Sequence, residues 1–426
     1  MNRVSIQRYA SGAVVLAFAA CVSLSSPAGR QENVPITRGN YRNGRDQAVR
    51  IALATNATDG KISSTGKWRL WVGDSEYPVS DNGTEVWGIG VDAGRLRLER
   101  PGRTDYSTGL LVARPSDQSS VIVWNGKRYR GDVSIAATDS GLLVVNTLPM
   151  DSYLRGVVPL EIGNRTEAEL AAVQAQAVAA RTYAYKHLST TRGFDMYSTV
   201  QDQVYGGVDA EKPLSDQGIN STQDMVMLFA GEPINTPYHS TCGGSTAAVS
   251  EVWYREPDEP YLRPVSDKIP GTDKFYCDPS PKFSWTQNFD TDGLRATMDK
   301  YLAAYTNAPK AGAGRILDIR EQGRTPSNRV AGLIVRTDSG TYTIRGNDIR
   351  FVLRDAKGTT LNSTFFTFTT DNAGGEVSNL TVNGRGYGHG IGMCQWGAIG
   401  RARAGQNYRT ILETYYPGTT IGRIAG

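Results

Sequence analysis

Glu161 is the first residue in this sequence whose setting suggests chemistry. It stands in the run VVPLEIGNRT, after Pro159 and before Gly163, with valine, leucine and isoleucine around it. Burial among apolar side chains raises the pKa of a carboxyl group and keeps it protonated, as a general acid requires. The alternative is an acid near a helix N-terminus that interacts with the helix dipole. The residues alone leave both interpretations open.

A second set of candidates lies in GRGYGHGIGMCQWG, residues 384–397, where glycines alternate with larger residues. A dinucleotide-binding loop needs Gly-x-Gly-x-x-Gly, and strict alternation removes its third glycine, so that kind of site is excluded. In an extended strand one face would be bare backbone, open to another backbone or to a sugar ring, and the other would present Arg385, Tyr387 and His389. A neutral imidazole there can hydrogen-bond a sugar or hold Glu161 in place.

Imidazole and thiol groups raise the question of a metal. His239, Cys242 and Cys277 would supply three of the four ligands of a structural zinc, and the fourth would be His389, Cys394 or an acid. A disulfide between Cys242 and Cys277 is the alternative that we favour, because disulfides persist in exported proteins. We therefore expect no metal and no other cofactor.

The N-terminal residues predict export. Arg3 and Arg8 precede an apolar run at residues 12–24 that is too short to span a bilayer comfortably. We predict a signal peptide at residues 1–28, with cleavage after its last residue. Lipid attachment at Cys21 is the less favoured alternative, because the residues before it depart from the usual lipobox. The predicted location is secreted, at the cell wall or otherwise extracytoplasmic.

Charge and cysteine content limit the partners. Loss of residues 1–28 takes away two arginines and no acid, so the formal charge falls from +4 to +2. This lacks the basic excess typical of proteins that bind nucleic acid. After signal cleavage we expect no stable transmembrane segment. The three remaining cysteines are an odd number, so at least one thiol would stay unpaired.

The predicted elements indicate an α+β fold. Residues 29–46 are polar and predict a linker, and residues 47–150 contain apolar, β-branched runs that predict strands, including a hairpin with its turn at Asn125-Gly126. Residues 151–424 predict a mixed α/β catalytic unit with a glycine-rich strand and C-terminal helices. The clearest helix runs from Glu167 to about His187, after a capping-box pattern.

Several blocks resemble the SpoIID/LytB family of bacterial sporulation and amidase-enhancer proteins. They follow the family's order over about residues 110–424: YLRGVVPLEI with AELAAVQAQAVAARTYAY, QDQVYGG, YHSTCGGSTAAVSEVW, FVLRDAKGTTLNSTFF, and GRGYGHGIGMCQWGAIGRARAGQNYRTILETYYPGT. The resemblance implies a SpoIID-type unit that acts on peptidoglycan.

The resemblance also implies an activity, a lytic transglycosylase that cleaves glycan strands and leaves 1,6-anhydromuramyl ends. Glu161 occupies the position of the family's catalytic acid and base. We expect a further set of residues to shape the glycan groove, or else to serve the core: Gln176, Arg181, Tyr205, Arg385, Tyr387, His389 and Gln395.

One departure keeps other functions open. The family's aromatic residue between the glutamate and the helix is absent from GNRTEAEL, where tryptophan is usual. The chain could therefore be a peptidoglycan-binding enhancer of a separate cell-wall amidase that does not cut glycan itself. A wall-associated structural protein that has kept the fold and lost the chemistry is the third alternative.

Overall fold

The structure is a computed structural model that describes residue 36, residues 47–80 and residues 85–424. The predicted signal peptide, Cys21 and all of the predicted linker except Ile36 lie outside the described residues. Among the described residues, no helix is both long and apolar enough to cross a membrane.

The chain between residues 48 and 149 forms strands, most of them paired antiparallel. They are β1 (Ala48–Ala57), β2 (Asp59–Ser64), β3 (Trp68–Val72), β4 (Ser75–Tyr77), β5 (Trp87–Asp92), β6 (Arg95–Arg100), β7 (Arg103–Ser107), β8 (Leu111–Pro115), β9 (Ile122–Trp124), β10 (Lys127–Tyr129), β11 (Asp132–Thr138) and β12 (Gly141–Pro149).

Both helices and strands occur from residue 150 to the end of the described chain. The helices are α1 (Met150–Ile162), α2 (Leu170–Lys186), α3 (Pro213–Ser221), α4 (Val249–Val252), α5 (Thr291–Tyr305), α6 (Asp348–Val352), α7 (Gln395–Arg403) and α8 (Tyr408–Tyr415). The strands are β13 (Met196–Tyr197), β14 (Met225–Phe229), β15 (Glu232–Pro233), β16 (Tyr238–His239), β17 (Ser284–Asp290), β18 (Ile316–Glu321), β19 (Gly332–Thr337), β20 (Gly340–Arg345), β21 (Phe366–Ala373), β22 (Glu376–Arg385), β23 (Met393–Cys394) and β24 (Thr420–Arg423).

Two large sheets hold the N-terminal strands. One has the order β13-β1-β12-β11-β8-β3-β4, and the other has the order β10-β9-β2-β5-β6-β7. Strand β13 joins the first sheet in parallel to β1, so a strand that follows α2 completes a sheet of the N-terminal region. The α+β class is therefore confirmed.

The predicted hairpin and the predicted helix are both present. Asn125 and Gly126 have φ of 49° and 80° between β9 and β10, as a two-residue turn requires. Residues Glu167–Glu169 form a 3₁₀ turn that leads into α2, and the backbone N–H of Thr166 donates to Glu169 Oε2 at 2.9 Å. Helix α1 was not predicted as a separate helix; it ends at Ile162 and is followed by Gly163, whose φ is 75°.

Two larger hydrophobic cores hold these elements together, and a third, small cluster contains Ile36, Ala52, Leu143, Val145 and Phe194. The larger contains residues of both large sheets and of helices α1, α2, α7 and α8, so it joins the predicted β-rich and catalytic regions. The smaller is formed by residues of the sequence range 289–382 and contains side chains of α5 and of the strands β18 to β22. The boundary at residue 150 stays a prediction.

The glycine-rich segment differs from the predicted strand. Only its first residues belong to β22, and beyond them Gly386, Gly388, Gly390 and Gly392 all have positive φ, between 69° and 114°. Their missing side chains leave room for a neighbouring backbone, because a Cβ on Gly386 would lie 2.6 Å from the Thr241 carbonyl oxygen. The close contact with another backbone is confirmed, and the regular strand is wrong.

Candidate functional site

Glu161 lies in the last turn of helix α1, and only 2% of its surface is exposed. Of the apolar residues beside it in the sequence, Val157, Val158 and Ile162 are buried as well, whereas Leu160 is half-buried. Helix α1 ends one residue later, at Ile162, because Gly163 adopts a positive φ that other residues rarely adopt. The burial predicted for this carboxyl group is therefore observed, and its position is at the end of α1.

Three groups hydrogen-bond to the Glu161 carboxyl. The backbone N–H of Val204 donates to Oε1 at 3.0 Å, and the side chains of Tyr238 and Gln395 bond to the same carboxyl. Burial raises the pKa of Glu161 to about 7, and the three hydrogen bonds oppose that rise. Near neutral pH the carboxyl can therefore both give and take a proton.

Two further buried amide side chains hydrogen-bond to the partners of this carboxyl. Gln203 Nε2 donates to the Tyr238 hydroxyl at 2.9 Å, so the hydroxyl keeps its own proton for Glu161. Gln395 Nε2 donates to Gln176 Oε1 at 3.2 Å, and Gln176 is fully buried in helix α2. The structure thus brings together three of the predicted site residues: Glu161, Gln176 and Gln395.

Sequence reasoning missed Tyr238 and Gln203. Both stand in blocks that resemble the family, YHST and QDQVYGG, next to residues that were selected. Each is a polar side chain with apolar neighbours in the sequence, which predicts a buried polar group. The sequence does not show which carboxyl group that side chain contacts. Tyr153 completes the network, since its hydroxyl donates to Gln203 Oε1 at 3.1 Å.

Arg181 and Tyr205 use their polar atoms within the fold. Arg181 is 1% exposed, forms an ion pair with Asp151 at 2.8 Å and donates to main-chain carbonyls next to α3. Tyr205 is buried, and its hydroxyl donates to Asn146 Oδ1 at 2.8 Å. For these two residues the structure supports the alternative of a core role, and it does not place either in contact with Glu161.

His389 also belongs to the core, so the prediction of an open face is wrong. It is 1% exposed; its Nε2 donates to the Tyr238 carbonyl at 2.9 Å, and its Nδ1 accepts from the Ile391 N–H at 3.0 Å. Burial holds the pKa of His389 well below its usual value, which keeps the ring neutral. The ring supports the backbone of Tyr238, and it does not touch Glu161 in the contacts that the structure describes.

We expect His389→Ala to destabilise the fold by about 2–5 kcal/mol, because it leaves a cavity and two main-chain groups without partners. Urea unfolding followed by circular dichroism measures this loss. His187→Ala is the comparison, since His187 is half-buried at the end of α2 and should cost less. Unchanged stability together with weaker glycan binding in His389→Ala would contradict the core role and indicate that the His389 ring binds glycan.

Arg385 and Tyr387 lie closer to solvent. Arg385 is exposed and, together with Trp285 and Phe365, lines a surface cleft of about 800 Å³. Tyr387 is half-buried, with Lys282 Nζ 5.9 Å from its ring centre. Their predicted role in binding substrate stays a prediction.

The sulfur atoms of Cys242 and Cys277 lie 3.5 Å apart, and both thiols are free in the structure. The predicted disulfide is therefore absent here, although its two cysteines are neighbours. The alternative metal ligand set is also changed: the buried ligand atoms that converge come from Cys242, Cys277, Cys394 and Asp267. His239 is not one of these four groups: its Nδ1 donates to the Ile391 carbonyl at 3.0 Å, although its ring also interacts with Cys242.

Comparison with known proteins identifies the class to which this fold and site belong. A sequence model of the Stage II sporulation protein family, SpoIID, matches residues 138–229, the segment that carries Glu161, Gln176 and Gln203. A second model, for a domain of unknown function (DUF8618), matches residues 271–392. The chain belongs to the SpoIID/LytB family.

Individual relatives agree with this assignment. The chain is 31% identical to the amidase enhancer of Bacillus subtilis in an alignment that covers 81% of this chain and 51% of that protein. It is 30% identical to an uncharacterized protein of Brachyspira hyodysenteriae over 70% of this chain and 73% of the relative. Stage II sporulation protein D of Bacillus subtilis is 29% identical over 68% and 79% respectively. The chain thus spans about half of the amidase enhancer.

Proposed function

We propose that this protein is an exported lytic transglycosylase that cleaves the glycan strand of peptidoglycan. The observation that carries the proposal is the Glu161 carboxyl, buried at the end of α1 with a pKa raised to about 7. A single group of this kind can serve as acid in one half of a reaction and as base in the other. Relatives named amidase enhancer and Stage II sporulation protein D support a role at the cell wall.

The proposed reaction needs one carboxyl group. Protonated Glu161 gives its proton to the glycosidic oxygen as the bond to the muramic acid C1 breaks. The resulting carboxylate takes the proton of the muramic acid C6 hydroxyl, and the C6 oxygen bonds to C1 to close a 1,6-anhydro ring. No water is consumed and Glu161 is protonated again, so no second carboxylate is required to activate water.

The surroundings of Glu161 favour this alternation. The Tyr238 hydroxyl and the Gln395 side chain hydrogen-bond to the carboxyl and stabilise its charged form, while burial favours its neutral form. Trp396 follows Gln395 and is half-buried, with the Arg165 guanidinium 5.5 Å from its ring centre. We propose that this ring provides the stacking surface that the GNRTEAEL segment lacks.

The products test the proposal. The purified protein is incubated with intact peptidoglycan and with glycan strands freed of their peptides, and the fragments are analysed by mass spectrometry. We expect 1,6-anhydromuramyl ends, which are lighter by one water than hydrolysis products and resist borohydride reduction. Reducing muramic ends would contradict the mechanism and indicate a hydrolase.

A second candidate is a non-catalytic enhancer of a cell-wall amidase. The observation that favours it is the 2% exposure of Glu161, whose hydrogen bonds lie within the fold and leave little carboxyl surface for a sugar. An enhancer would sediment with peptidoglycan, leave the glycan uncut and stimulate an added amidase. Glu161→Gln would not affect that stimulation.

A further inference from the structure

Three cysteines and one aspartate meet at a buried point behind the glycine-rich segment. The ligand atoms of Cys242, Asp267, Cys277 and Cys394 all lie within 4.8 Å of one another, and all four side chains are buried. They come from three separate parts of the chain: the residues after β16, the connection between α4 and β17, and strand β23. We propose that these four side chains bind a structural zinc ion.

The spacing of the ligand atoms fits a tetrahedral ion. Zinc–sulfur bonds of about 2.3 Å in a tetrahedron separate neighbouring sulfur atoms by about 3.8 Å. The Cys242 and Cys277 sulfurs are 3.5 Å apart, and Cys242 Sγ is 3.7 Å from Asp267 Oδ2. A small contraction or expansion of these contacts would therefore accommodate the metal. The excess of thiolate ligands favours zinc over magnesium or calcium.

Main-chain amides donate hydrogen bonds to two of the sulfur atoms. Cys394 Sγ accepts from the backbone N–H groups of Cys242 and Gly397, each at 3.2 Å, and Cys242 Sγ accepts from the Gly244 N–H at 3.4 Å. A neutral thiol is a weak acceptor, whereas a metal-bound thiolate is a good one. Such bonds to ligand atoms are the usual second layer of a metal site.

One oxygen of Asp267 is already engaged, which leaves the other for the metal. Oδ1 accepts from the Tyr415 hydroxyl at 2.7 Å and lies 3.3 Å from Arg401 Nη2, while Oδ2 faces Cys242. A carboxylate held in this way binds a metal through one oxygen, and its partners fix the direction of that oxygen.

The charges around the cluster balance with a divalent ion. Three thiolates and one carboxylate carry four negative charges, zinc neutralises two, and Arg401 and Arg329 supply the remaining two positive charges. Arg329 is 1% exposed, donates to the Cys242 carbonyl at 3.1 Å and interacts electrostatically with Cys242, with the carboxylate of Glu251 and with Cys394. Its Nε and Nη1 find no hydrogen-bond partner in the described part of the chain, so compensation by a nearby anionic centre fits its burial.

A disulfide between Cys242 and Cys277 accounts for fewer of these observations. It would leave out Cys394, whose sulfur accepts from two main-chain amides, and it gives no reason for the carboxylate at the same point. A zinc ion uses all four groups. Because Cys394 directly precedes Gln395, the ion would also fix Gln395 beside Glu161. This inference does not depend on whether the protein cleaves glycan.

Metal analysis of the full chain tests the inference. The protein is exported by its expression host, purified without chelator and measured by inductively coupled plasma mass spectrometry. We expect about one zinc per chain, since four-ligand sites of this kind hold a single ion. Cys277→Ser should lose most of the zinc. Asp278→Asn is the matched control, because Asp278 is the next residue but caps the Phe275 N–H outside the cluster, and it should keep the zinc.

Two further measurements decide the result if Cys277→Ser fails to fold. Wild-type protein reconstituted with cobalt should show the intense near-ultraviolet sulfur-to-cobalt absorption and the visible bands of a tetrahedral thiolate site. Alkylation of the denatured, chelated protein without reductant should modify Cys242, Cys277 and Cys394 alike. Wild-type protein without zinc, with Cys242 and Cys277 protected from alkylation as a disulfide, would overturn the inference.

Discussion

Glu161→Gln is expected to lower glycan cleavage by at least about 10²–10⁴-fold, the usual contribution of a general acid or base. The amide has nearly the same shape and can still accept from the Val204 N–H, but it has no proton to give to the glycosidic oxygen. Release of anhydromuramyl fragments, followed by mass spectrometry, measures the loss. Glu167→Gln is the control, because Glu167 is exposed six residues further along and should leave the rate unchanged.

The same substitution has an expected signature in stability. The folded-state pKa of Glu161 is about 7, against 4.5 for the free group, so the stability that its protonated form contributes is complete below about pH 4.5 and is lost as pH rises through about 7. The amide that replaces the carboxyl in Glu161→Gln does not titrate in this range. Urea unfolding should therefore show that the free energy of unfolding of the variant rises relative to that of wild type between pH 5 and pH 8. The total relative change should be on the order of 3 kcal/mol.

The rate should depend on pH for the same reason. Wild-type kcat/KM is expected to fall above about pH 7, because the acid must be protonated in the free enzyme. A variant that cleaves glycan like wild type but lacks the pH-dependent stability of wild type would contradict the catalytic role and leave the buried carboxyl as a structural group. Loss of both properties together supports the proposed mechanism.

Gly386→Ala is expected to destabilise the fold by about 3–5 kcal/mol, since it combines a strained φ with overpacking. The added methyl group would lie 2.6 Å from the Thr241 carbonyl oxygen and 2.9 Å from the Cys242 carbonyl carbon. Both atoms belong to the backbone, so no change of side-chain rotamer can relieve the contact. Urea unfolding followed by circular dichroism measures the loss.

Gly405→Ala separates strain from contact. Gly405 has φ of 81°, close to the 79° of Gly386, but a Cβ there would meet nothing within 4 Å. We expect a loss of only about 1–2 kcal/mol, the cost of the left-handed conformation alone. Equal losses for the two variants would mean that the segment at Thr241 moves away easily, and the close packing of the two backbones would then contribute little to stability.

Local patterns predicted much of the fold. The Asn125-Gly126 turn, helix α2 and the burial of Glu161 all follow from neighbouring residues, because turn dihedrals, helix caps and apolar runs are short-range properties. The strand at residues 384–392 was wrong for a physical reason: alternating glycines suit an extended strand and a series of positive-φ turns equally well. The approach of the segment from Pro237 to Gly243, together with the Arg329 side chain beside Gly390, selects the second.

The partners of the candidate site could not be predicted in the same way. Glu161 meets Val204, Tyr238 and Gln395, which follow it by 43 residues or more in the chain. Arg181 pairs with Asp151 by packing α2 on α1, and its sequence block does not indicate which acid it meets. Such contacts depend on the tertiary arrangement, whereas the family resemblance identifies only the blocks in which the partners lie.

The two-residue parallel ladder of β16 and β23 limits how this site can change in evolution. Tyr238 pairs with Met393 and His239 with Cys394, one step from Gln395. A single inserted residue on either side would shift this register and turn alternate side chains to opposite faces. Tyr238 would then leave Glu161. Length changes should therefore be tolerated in the surface turns of the N-terminal sheets and selected against between residues 237 and 243, even where every side chain is kept.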